Sequence, residues 1–128
     1  MSFNRIKVSS EATNKLRVLK ARTGLTPNIL CRIGFAVSLN EPGSPNQDSD
    51  ENGQEFNRYT LTGEWDQLFI ALLKEKLVRD GLNPTIDLVP QFRAHLNRGV
   101  SLLQTRVKSL GDLKDILPPD GSANPIEN

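Results

Sequence analysis

Residues that carry chemistry are scarce in this 128-residue chain: one cysteine, one histidine, one methionine, one tryptophan and one tyrosine. A lone thiol excludes an intramolecular disulfide framework and fits a reducing compartment. One cysteine and one histidine do not make a zinc-ligand set. No segment approaches the roughly 20 apolar residues needed to span a bilayer. The opening MSFNRIKVSS lacks the apolar run of a secretory signal, so a soluble cytoplasmic protein without membrane association is expected. A P-loop and a dinucleotide fingerprint are both missing. The acids of residues 40–57 lack the ordered spacing and glycine of a calcium loop. Neither a cofactor nor a metal is therefore expected.

What is present is an uneven distribution of charge. The first 39 residues hold seven Lys/Arg (Arg5, Lys7, Lys15, Arg17, Lys20, Arg22, Arg32) against Glu11, inside a chain whose net charge is only +1. Residues 40–57 reverse the sign, with Glu41, Asp48, Asp50, Glu51 and Glu55 and no base. From residue 58 onward, nine bases meet nine acids. A positive end of this kind suits a polyanion, with DNA the foremost candidate.

The pattern predicts one mainly helical domain over residues 1–117. Residues 3–8, FNRIKV, alternate as a short strand, with Phe3, Arg5 and Lys7 on one face and Ile6 and Val8 on the other. Ser9 and Ser10 are good helix starts, and Gly24 is a good stop. Between them Ala12, Leu16, Leu19 and Thr23 share a narrow face. Lys15 and Arg22 flank it on one side, Arg17 and Lys20 on the other.

Thr26-Pro27 opens a second helix to Leu39 that is apolar almost all round. Such a helix must be buried on both sides. A small domain does not readily do this alone, so Ile29, Leu30, Ile33, Phe35 and Val37 are expected to form an oligomer interface. Residues 40–57 read as a mobile acidic loop, and Phe56 to Thr62 as a short extended segment. Two further helices are expected. One runs from about Glu64 to Asp80 with a stripe of Trp65, Leu68, Phe69, Leu72 and Leu73. The other runs from about Pro90 to Leu110 with Phe92, Leu96, Gly99, Leu103, Val107 and Leu110 on one face. Asp112 to Leu117 form a last turn, and 118–128 a disordered tail.

Strand, helix, helix is the order of a ribbon-helix-helix module, whose paired strands enter a groove. A helix-turn-helix reading competes, but Ile29, Leu30, Ile33 and Phe35 would make a very apolar recognition helix. Arg5, Lys7, Lys15, Arg17, Lys20 and Arg22 are the candidate DNA contacts, since Lys and Arg neutralise phosphates and release condensed counterions. Cys31 and His95 are read as packing residues rather than catalytic ones. A reactive thiolate needs partial exposure, and His95 lies beside the apolar stripe of its helix. No catalytic residue is assigned.

Three strings, KLRVLKARTGLTPNILCRIGFAVSLNEPG, YTLTGEWDQLFIALLKEKL and DGLNPTIDLVPQFRAHLNRGVSLLQTRVKSLGDL, resemble the small DndE subunit family of bacterial DNA phosphorothioation systems. The resemblance runs over about residues 5–117. It implies a part in replacing a non-bridging phosphate oxygen of DNA by sulfur, a DNA modification of the restriction-modification kind. The chemistry would fall to a cysteine desulfurase, an iron–sulfur/ATP-binding subunit and an ATPase subunit. The E subunit itself would be a homotetrameric, ribbon-helix-helix-like binder of nicked duplex that uses surface lysines. Here these carry over to Lys7, Lys15 and Lys20, with Arg5, Arg17 and Arg22 as helpers. The rival readings are a structural adaptor that docks partner subunits with little DNA contact, and an enzyme acting through Cys31 or as a nuclease.

Overall fold

The computed structural model describes residues 3–116. The order is β1 (Arg5–Lys7), α1 (Ser10–Thr23), α2 (Pro27–Leu39), β2 (Glu55–Asn57), α3 (Arg58–Thr62), α4 (Asp66–Arg79) and α5 (Leu88–Arg106). Single 3-10 segments precede α4 (Gly63–Trp65) and follow α5 (Leu110–Asp115). The mainly helical, strand-first class is as expected. The strand finds its partner within the chain: β1 pairs antiparallel with β2 in the register Arg5 to Asn57, Ile6 to Phe56 and Lys7 to Glu55.

Local chemistry explains the helix ends. Ser9 sits in the extended region, and its hydroxyl accepts from the Ala12 amide at 3.0 Å. Gly24 closes α1 at φ 79° and returns its amide to the Lys20 carbonyl at 2.8 Å. Pro27 occupies the first turn of α2, where no amide is required. The buried face of α1 is Ala12, Leu16, Leu19 and Thr23, as its period predicts.

The core forms where α2 crosses α5. Gly34 and Gly99 meet backbone to backbone; a Cβ on Gly34 would lie 2.9 Å from the Gly99 carbonyl carbon, and one on Gly99 would collide with the Gly34 carbonyl. This close approach lets Phe35 stack against Phe92, with ring centroids 4.7 Å apart. Phe35 also meets Phe69 of α4 edge-on at 5.4 Å, and Phe92 meets Phe3 at 5.1 Å. One aromatic chain thus joins the start of the chain, α5, α2 and α4. At its edge Arg58 holds Asp66 through two hydrogen bonds (3.0 and 2.8 Å) and the Phe3 carbonyl at 3.1 Å.

Five expectations need correction. Leu30 and Phe35 are fully buried within one chain, so neither can form an oligomer surface; α5, from sixty residues downstream, covers that side of α2. The loop at 40–57 is laced down rather than mobile. The Ser10 amide and hydroxyl bind Asp50, Lys76 binds the Glu41 carbonyl, Gln91 the Pro45 carbonyl and Arg98 the Gly43 carbonyl. Residues 56–62 divide into the end of β2 and the short helix α3, because Asn57 caps the Tyr59 and Thr60 amides. Of the predicted stripe on α4, Trp65, Leu68 and Leu72 stay exposed while Leu73 and Leu77 enter the core. Leu110 is also exposed, since α5 ends at Arg106. Leu117 and the predicted tail at 118–128 lie outside the described residues.

In an open helix, Gly→Ala gains about 1 kcal/mol through propensity. At the α2–α5 crossing the added carbon has no room, and overpacking of this kind costs about 1–3 kcal/mol. Gly99→Ala is therefore expected to lower the urea midpoint clearly. Gly111→Ala, where the new Cβ would meet nothing closer than Ser109 Oγ at 3.8 Å, should leave it nearly unchanged.

Candidate nucleic-acid interface

The six predicted cations divide into three settings. Arg5 and Lys7 project from the exposed face of β1. Arg5 is paired with Glu55 at 3.0 Å, and Lys7 lies opposite the same glutamate in the register. Lys15 and Arg22 belong to the flank of α1 that faces α5. Lys15 donates to Ser101 Oγ at 2.9 Å and pairs with Glu11 at 3.0 Å. Arg22 donates to the carbonyls of Gln104 (3.0 Å) and Val107 (3.2 Å), groups that the end of α5 leaves without helical partners. Its role is to cap that helix, so it is not free to meet a phosphate.

Arg17 and Lys20 occupy the opposite flank and line a shallow hollow with Thr13, Pro27 and Gln54. Arg17 donates only to Asn14, at 2.8 Å. Lys7, Arg17 and Lys20 are all exposed, and none forms an ion pair among the described residues. Of the six predicted cations, these three are available to a polyanion.

Two arginines that the sequence did not single out lie against the N-terminal segment. Arg93 reaches from α5 to β1, where its Nε donates to the Lys7 carbonyl at 2.9 Å and its Nη2 meets Glu51 at 3.3 Å. Arg58 lies over the Phe3 and Tyr59 rings at 4.6 and 4.7 Å. The contact from Arg93 to β1 spans 86 residues, and no local spacing could have revealed it. The acids of 40–57 are equally engaged: Glu41 with Arg106, Glu51 with Arg93 and Glu55 with Arg5. The regional excess of positive charge is therefore partly balanced by folding.

An apolar surface lies on the α2–α4 side. Ile29, Ile33 and Val37 are half-buried and Ala36 is exposed. Trp65, at the end of the preceding 3-10 segment, and Leu68 and Leu72 of α4 are 52, 50 and 41% exposed. Ile33, Ala36 and Val37 of α2, Phe69 of α4 and Ile116 line a hollow of about 330 Å³, with Arg32 and Asn40 as its polar members.

The two residues with reactive potential are enclosed. Cys31 is fully buried, and desolvation pushes its thiol far above the usual range. His95 is also fully buried, with Nδ1 2.8 Å from Ser38 Oγ. Arg98 donates to the same hydroxyl at 2.8 Å. Ser38 Oγ and His95 Nδ1 share one hydrogen bond, and Nε2 has no partner among the described residues. Burial first, then the charges of Arg98 and Lys76, depress the His95 pKa to about 3, against a smaller opposing effect of Asp80. Among the described residues no three His, Cys, Asp or Glu side chains are grouped to hold a metal, and no helix is long and apolar enough to cross a membrane.

The family model for the DNA sulphur modification protein DndE matches residues 5–110. The fold is similar to the crystal structure of DndE from Escherichia coli B7A, involved in DNA phosphorothioation modification. That similarity has a TM-score of 0.66 at 28% identity and covers 80% of this chain and 98% of that one. A glycine-to-lysine mutant of DndE, involved in DNA phosphorothioation, aligns with a TM-score of 0.65 at 25% identity, covering 80% and 99%. None of the curated proteins matches the chain.

Because His95 is held neutral when folded but titrates near its ordinary value when unfolded, acid favours the unfolded chain. The penalty begins as pH falls below about 6.5 and grows towards about pH 3, by up to ~1.4 kcal/mol per pH unit. His95→Asn, which keeps an acceptor near Ser38, should flatten this part of the stability–pH curve. Urea unfolding at pH 7, 6, 5 and 4 checks it, and parallel curves for both proteins would contradict it.

Proposed function

The chain belongs to the DndE family of DNA sulphur modification proteins, and we propose that it serves there as a non-catalytic subunit that binds duplex DNA, nicked duplex in preference, through phosphate contacts with little sequence dependence. The observation that carries this reading is the exposure of Lys7, Arg17 and Lys20, on β1 and one flank of α1, without acidic partners among the described residues. Each phosphate neutralised releases condensed counterions, which yields affinity regardless of base sequence. A nick adds preference because a broken strand deforms at lower cost than an intact one.

The protein works as a cytoplasmic homo-oligomer, a tetramer in this reading. Self-association through Ile29, Ile33 and Val37, extended by the exposed Trp65, Leu68 and Leu72, would cover apolar side chains that the single chain leaves in water. Repeating the basic edge then sums modest affinities along one duplex. Sulfur chemistry resides in partner subunits, among them the iron–sulfur/ATP-binding and ATPase components. The same exposed side chains support the alternative of an adaptor that docks those partners with little DNA contact.

A salt series of duplex affinity separates the readings. Wild type should lose affinity steeply with salt. Lys7→Gln/Arg17→Gln/Lys20→Gln should flatten the log–log slope by up to about three, at ~0.9 for each phosphate left unneutralised. An unchanged slope favours the adaptor. For assembly, Ile33→Glu should lower the mass found by light scattering to that of a monomer while the helical circular-dichroism spectrum persists. An unchanged mass would remove α2 from the interface.

A further inference from the structure

Arg93 stands apart from the other arginines. It is anchored on the long helix α5, its Nε is committed to the Lys7 carbonyl at 2.9 Å, and its remaining face is directed to an exposed carboxylate. Arg5 and Lys7 project from the same face of β1, two residues or about 6.6 Å apart. Arg5, Lys7 and Arg93 are thus all carried by β1 or bonded to it, and the acids that pair with Arg93 and Arg5, Glu51 and Glu55, both come from the segment that forms β2 and its lead-in.

We propose that Arg5, Lys7 and Arg93 form a phosphodiester-binding site that is occupied in the free chain by Glu51 and Glu55, and that a DNA phosphate displaces these two carboxylates. The proposal rests on the DNA-binding reading above and deepens it by assigning Arg93 to the site.

The chemistry of exchange is favourable. A guanidinium donates to carboxylate and to phosphate oxygens alike, and each glutamate here is held by a single contact (3.0 Å for Arg5, 3.3 Å for Arg93). Both carboxylates are on the solvent side, where ion pairs are weak and screened by salt: Glu51 is 59% exposed and Glu55 39%, while Arg5 is 70% exposed and Arg93, the inner partner, 18%. A displaced carboxylate returns to water and leaves no buried charge behind. The backbone between the two acids need not move, because the Gly53 amide and Gln54 carbonyl are bonded to Val8 at 2.9 and 3.1 Å. Rotation of two side chains uncovers the site. The Nε bond to Lys7 meanwhile keeps the Arg93 head in place, which lowers the entropy lost on binding.

The test compares duplex affinity across a salt series for the full chain and four variants. Glu51→Gln/Glu55→Gln should bind about threefold to tenfold more tightly than wild type. Glu64→Gln/Glu75→Gln changes net charge equally at exposed acids without ion pairs among the described residues, and should gain less. Arg93→Gln should lose affinity and about one unit of salt slope, whereas Arg93→Lys should retain the slope. If the two glutamate pairs give equal gains, exchange is overturned even should Arg93→Gln fail to fold. If folded Arg93→Gln keeps wild-type affinity and slope, the site is overturned too; loss of binding in the Lys7/Arg17/Lys20 variant would then leave the DNA-binding reading intact. Absence of binding in every protein would overturn both.

Discussion

The contact between Gly34 and Gly99 sets the distance between α2 and α5, and most of the molecule is arranged around that distance. Neither helix could approach so closely with a side chain at the crossing. Their closeness brings Phe35 onto Phe92 and buries Leu30, Cys31, Leu96 and Val100. With that core closed, α1 packs on α5 by its one apolar face, and its cationic flanks are sorted: Lys15 and Arg22 turn inward to α5, Arg17 and Lys20 outward to solvent. The exposed cationic surface is thus a consequence of how two helices cross some distance from it.

Much of the N-terminal architecture was legible because its causes are local. The caps at Ser9, Gly24 and Pro27 and the buried face Ala12, Leu16, Leu19 and Thr23 depend on neighbours within a turn or two. The error over α2 had a different origin. Its all-round apolarity does demand two covering surfaces, but α5 supplies one of them from the same chain. Leu30 and Phe35 therefore lie inside the protomer, and only the outer residues Ile29, Ile33 and Val37 remain for a partner. The pairing of α2 with α5 depended on matched glycines in distant segments, a signal that periodicity does not carry.

The charges teach a related lesson. Counting by region separated a basic start from an acidic middle, and composition suggested that the middle was a free linker. Folding superimposes the two. Asp50 holds the start of α1, Glu51 holds Arg93 and Glu55 holds Arg5, while Lys76, Gln91 and Arg98 fasten the loop from beneath. A run rich in Pro, Gly, Ser and Asp is therefore compatible with an ordered strap when enough distant donors meet its carbonyls. The candidate interface is smaller than the sequence suggested, with Lys7, Arg17 and Lys20 open and Arg93 as an addition.

The central claim is that this small DndE-family protein meets DNA by the edge formed from β1 and the outer flank of α1. An NMR titration of the isotope-labelled full chain with intact and nicked duplexes at low salt addresses it directly. Amide shifts should concentrate around Lys7, Arg17 and Lys20, with Trp65, Leu68 and Leu72 unmoved. Shifts centred on those last three residues, or none at any DNA concentration, would contradict the claim.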